Sequence, residues 1–163
     1  MKFSGKTIGI WVGVIALGGW IISYIMAPIP GREVPDQGRE HVSEDVVEKT
    51  TYTSVPPVSG PHTETWVKAG IYTSPQRKGE LIHSLEHGYV ELQYTCTPKA
   101  PTDATVSAQI DTPECKTVAA KLEAVATKKK LWKLIVVKNP ALTHSIVLAA
   151  WNHLDEMDTF DEK

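Results

Sequence analysis

The stretch Glu80-Leu-Ile-His-Ser-Leu-Glu-His-Gly-Tyr-Val-Glu-Leu-Gln-Tyr94 decides how this chain is read. Residues 89–94 alternate apolar and polar side chains, which predicts a strand. The half before them admits two readings. As a helix, it sets His83 and His87 at i and i+4 on one face, and Gly88 ends it in a left-handed turn. As a hairpin, Glu86-His87-Gly88 forms the tip and the two imidazoles still converge. Either geometry brings two nitrogen donors close enough to share one ion.

A credible metal site needs a third imidazole. His62 is the best placed, because Pro56-Pro57-Val58-Ser59-Gly60-Pro61 precedes it and presets the loop that presents it. The predicted ligand set is therefore His62, His83 and His87, holding one copper or zinc ion, as imidazole donors prefer. Glu86 is a secondary donor or an acceptor that orients an imidazole. His153 and Met157, spaced i, i+4 beside Trp151, are further secondary donors, and the Met157 thioether would favour copper. His144 is weaker still, and His41 reads as a solvated histidine.

Outward from this block, residues 114–130 carry Val118, Leu122 and Val125 at helical spacing and predict an amphipathic helix. Residues 131–137 and 145–151 are β-rich runs separated by Asn139-Pro140 and predict a second, hairpin-like pair. Cys96 and Cys115 are the only cysteines and predict one disulfide that staples the Pro-, Thr- and Asp-rich stretch between them. The fold class is α+β, with a small, mostly antiparallel sheet and one or two helices in the outer domain.

The N-terminus sets the compartment. Residues 8–27 contain no charge and as a helix would span about 30 Å, the thickness of a bilayer's hydrocarbon core. Lys2 and Lys6 precede this run, so the chain is read as a single-pass protein of the cell membrane, N-terminus cytoplasmic and C-terminal domain extracytoplasmic. Bulky Ile25 two residues before Ala27 argues against a cleaved signal peptide. Pro28 stops the helix. The organisation expected is a stub and transmembrane anchor over 1–27, a Pro-rich charged tether over 28–50, and a domain over 51–163. Gly9-x-x-x-Gly13 allows two anchors to approach as a homodimer. With 17 basic and 19 acidic residues the net charge is −2, which gives no support for nucleic-acid binding.

At these residues the chain resembles the family called domain of unknown function 3105. The shared motifs are Pro56-Pro57-Val-Ser59-Gly60-Pro61-His62, Gly70-Ile-Tyr72, Leu81-Ile-His83-Ser-Leu-Glu86-His87-Gly88, Asn139-Pro140 and Leu148-Ala-Ala-Trp151. The resemblance covers about residues 50–163. It implies an anchored outer domain and draws attention to His62, His83 and His87, but assigns no reaction. Asn152 stands where members usually carry glycine, and members often run on into a further helix beyond the acidic end.

The function expected is a membrane-anchored, extracytoplasmic binder of a transition-metal ion. A second reading is a non-enzymatic accessory or interaction subunit of a membrane complex, with structural histidines. A third is a metal-dependent hydrolase, since His83-x-x-Glu86-His87 matches an inverted zinc-protease signature whose glutamate is the general base. Gly88 ends that helix at once, whereas the signature needs a long one.

Overall fold

A computed structural model describes residues 5–28, 30–96 and 112–161. The chain divides into two units, Met1–Pro30 and Gly31–Lys163. The first is a helix, α1 (Gly5–Ile25), whose large apolar side chains, Ile15 at 71% and Ile25 at 73% among them, are exposed. The described side chains of α1 begin at Gly9, and among the described residues no helix is long and apolar enough to cross a membrane.

The second unit is a mixed sheet with helices on both faces. Its elements are β1 (Arg32–Glu33), α2 (Glu44–Lys49), β2 (Gly70–Tyr72), α3 (Lys78–Glu86), β3 (Val90–Tyr94), α4 (Pro113–Lys128), β4 (Leu134–Lys138), β5 (Ile146–Ala150) and β6 (His153–Met157). The strand order is β1-β6-β5-β3-β4-β2. The three pairings from β1 to β3 are antiparallel, and β3–β4 and β4–β2 are parallel. The chain crosses from β2 past β4 to β3 through α3, then returns to β4 through α4. Right-handed crossovers in opposite directions put the two helices on opposite faces. Alternation along β4 agrees: Ile135 and Val137 pack with Leu81 of α3, while Val136 packs with Leu122 and Ala126 of α4.

Two expectations change. Residues 131–137 and 145–151 do not form a hairpin, because β3 lies between β4 and β5 and pairs with both. The sheet is mostly antiparallel, as expected, with two parallel pairings at β3–β4 and β4–β2, and α4 supplies the crossover that the β3–β4 pair requires. Of residues 28–50, read as a tether, 31–50 are built into the unit. Arg32 and Glu33 pair with Leu154 and His153, and Val34 and Val47 are buried at 2% and 0% exposure. Local composition there is polar enough for a linker, and only the distant partners Val58, Leu85 and Leu154 give Val34 a core to enter.

The predicted helix over 114–130 is α4, started by Thr112, whose side chain accepts from the Cys115 N–H at 3.2 Å, with Pro113 in the first turn. The Cys96–Cys115 disulfide joins the end of β3 to that turn. Most of the stretch it was expected to staple, residues 97–111, lies outside the described residues. After α4 the backbone does not enter β4 directly: Lys130, Leu131 and Lys133 all have positive φ, near 57, 52 and 51°. Asn152 has φ 61°, a conformation that asparagine tolerates better than most residues.

Candidate metal centre

The block that opened the sequence reading folds as a helix, not a hairpin. α3 ends at Glu86, His87 caps it, and Gly88 follows with φ 74°. His83 is buried at 4% exposure because Ser84 bonds the Val67 backbone and draws residues 63–67 over the helix. The His83 Nδ1 lies 2.6 Å from the Thr63 carbonyl. A carbonyl only accepts, so Nδ1 carries the proton and Nε2 keeps its lone pair for another partner. Burial lowers the His83 pKa below 6.5, and His62, His87 and His41 push the same way against the Thr63 bond. The imidazole is therefore neutral near pH 7, the form that ligates metal.

His62 repeats the device. Its Nδ1 donates to the Gly60 carbonyl at 2.8 Å, and the ring is completely buried. Gly60 must be glycine here: its φ is 113°, and a Cβ would come within 3.0 Å of the Tyr52 ring. The His62 Nε2 then faces the Glu86 Oε2 at 2.9 Å. The distance suits an ion pair, yet the direction does not make a hydrogen bond, and Nε2 is left buried without one. With Nδ1 holding the proton, a lone pair confronts a carboxylate oxygen. Only a positive centre between them, a second proton or a metal ion, relieves that contact.

The third imidazole comes from a place the sequence did not single out. His41 and His62 form an isolated parallel bridge, with the His62 N–H on the Glu40 carbonyl at 2.9 Å and the Val42 N–H on the His62 carbonyl at 2.8 Å. The His41 ring stacks on His83 at 4.8 Å and its Nε2 lies 3.9 Å from the Glu86 Oε2. One donor atom each from His41, His62, His83 and Glu86 lie within 4.8 Å of one another. Around a metal at about 2.1 Å, tetrahedral donors sit about 3.4 Å apart, so side-chain adjustments of an ångström or so would close the set. Three imidazoles and a carboxylate are a donor set that suits zinc or copper.

Of the residues predicted from sequence, His62 and His83 converge and Glu86 joins them. His87 stands beside the group: its Nε2 is 2.8 Å from the His83 Nε2, its ring packs on Trp66, and it is exposed. His153 and Met157 lie on β6, where four residues span about 13 Å, too far for one ion. His153 instead donates to the Trp151 carbonyl at 3.2 Å, and Met157 packs on the α4 face. His144 pairs with Asp158 at 3.2 Å. His41 was missed because its partner is reached only through the bridge to residue 62, and nothing local marks it.

A family model described as "Protein of unknown function (DUF3105)" matches residues 41–163. The chain belongs to the DUF3105 family. The DUF3105 match begins at His41, so all four donor residues fall within it. No curated protein matches the chain, and no solved structure does.

Proposed function

We propose that this DUF3105 protein is a membrane-anchored, extracytoplasmic binder of one divalent transition-metal ion, zinc or copper, held by His41, His62, His83 and Glu86. The observation that carries the reading is the His62–Glu86 contact, where a fully buried Nε2 with its Nδ1 proton committed to Gly60 lies 2.9 Å from a carboxylate oxygen. Borderline donors of this kind take Zn(II) or Cu(II), and Met157, whose thioether would favour copper, packs on the other face of the sheet. The uncharged run over 8–27 and the lysines before it support the anchor and its orientation. A disulfide between Cys96 and Cys115 suits an oxidising compartment outside the cytoplasm.

The test is calorimetric titration of the full chain in neutral detergent with Zn(II) and Cu(II), beside elemental analysis of the purified protein. One site is expected, lost in a His62→Ala/His83→Ala double variant. Unchanged binding in that variant removes the site.

The accessory-subunit reading draws on the same Nδ1 bonds, because His62 and His83 already have backbone partners. On that reading the His62–Glu86 contact is a polar pair within the fold, and the melting temperature is the same with and without chelator.

A further inference from the structure

The turn after α4 is built to hold an indole in the open. Trp132 is 77% exposed, the most exposed of the large hydrophobic side chains among the described residues of the Gly31–Lys163 unit. Its neighbours Lys128, Lys129, Lys130 and Lys133 are exposed too. This is not a frayed helix end. The N–H groups of Lys130, Leu131 and Trp132 bond back to the carbonyls of Thr127, Ala126 and Lys129 at 2.8, 2.9 and 3.3 Å. Leu131 packs with the α4 core cluster, and Lys133 donates through Nζ to the His87 carbonyl at 2.7 Å. Three non-glycine residues in left-handed backbone are the cost of presenting Trp132 outward, and such strain concentrates at functional sites.

We propose that this turn docks the outer unit on the surface of a bilayer rich in anionic lipid. The indole is the side chain best suited to the headgroup boundary, with an apolar body and one N–H donor. Flanking lysines attract anionic headgroups within a Debye length, and an indole among them fits a lipid surface better than a purely acidic one. The proposal rests on the anchor reading above, since an anchored chain keeps a bilayer within reach. Lys133 ties the turn to the end of α3, so docking would set the His87 side of the metal centre near the lipid.

The experiment compares the full chain in nanodiscs of phosphatidylcholine alone and in discs that also contain phosphatidylglycerol, read by backbone hydrogen exchange over residues 128–134. Exchange should slow about tenfold in the anionic discs, and high salt should reverse the effect. Trp132→Ala and Lys129→Glu/Lys130→Glu, all at exposed positions, should each abolish it with the melting temperature unchanged. Equal exchange in the two discs overturns the docking and leaves the turn to an acidic protein surface. A chain that co-elutes with neither disc overturns the anchor and the docking together.

Discussion

His41 and His62, twenty-one positions apart in sequence, lie side by side across a parallel bridge with ring centroids 5.0 Å apart. That bridge brings a histidine from a polar, linker-like segment into contact with the buried loop histidine, and so makes a three-imidazole cluster out of two.

If the cluster binds metal, His41→Ala should weaken Zn(II) binding by at least about tenfold, as losing a ligand exceeds the effect of losing an orienting partner. His87→Ala, outside the convergent group, should change it much less. Competition against a chromophoric chelator measures both, and the reverse order would return the site to the set His62, His83, His87.

Gly60→Ala tests the loop that holds His62. A Cβ at φ 113°, within 3.0 Å of Tyr52, should cost about 1–3 kcal/mol and displace the carbonyl that fixes the His62 Nδ1. Stability by denaturant and metal affinity should fall together. A loss of stability with full affinity would mean that the Gly60 carbonyl does not orient the ring.

Val34→Ala asks whether residues 31–50 belong to the fold. Val34 packs with Leu85, Val147 and Leu154, so the variant should lose about 1–3 kcal/mol in chemical denaturation. A free tether would lose nothing.

Glu91 sets a pH dependence remote from the cluster. It is fully buried in β3, bonded by the Gln93 amide, and burial pushes its pKa from the ordinary 4.5 up to about 8. The folded state therefore holds this proton more tightly than the unfolded one. Stability is full below about 4.5 and declines as pH rises through the window to about 8. Glu91→Gln should flatten that decline and raise the melting temperature by a few degrees at pH 9, seen in thermal scans across pH. An unchanged slope would show that another group titrates.

Reduction of Cys96–Cys115 should destabilise the outer unit by about 3 kcal/mol on the chain-entropy account. Melting with and without a thiol reductant measures it.

What the sequence determined by itself was local. Period-two alternation marked β3, helical spacing marked α4, and the single pair of cysteines marked the disulfide, while residues 80–88 stayed open between helix and hairpin until the fold made them α3. Each follows from interactions within a few residues, or from there being one way to pair two thiols. The tertiary structure decided what depends on distant partners. Asn139-Pro140 reads as a hairpin turn, yet β3 takes the place between β4 and β5, because it can pair parallel to one and antiparallel to the other. Residues 31–50 read as a tether, because the core that buries Val34 is supplied by residues 58–154. His153 and Met157 read as a ligand pair on helical spacing, and the strand they occupy separates them. His41 carries no mark in its own segment, since a bridge hydrogen bond to residue 62 is a property of two chain segments meeting and not of either alone.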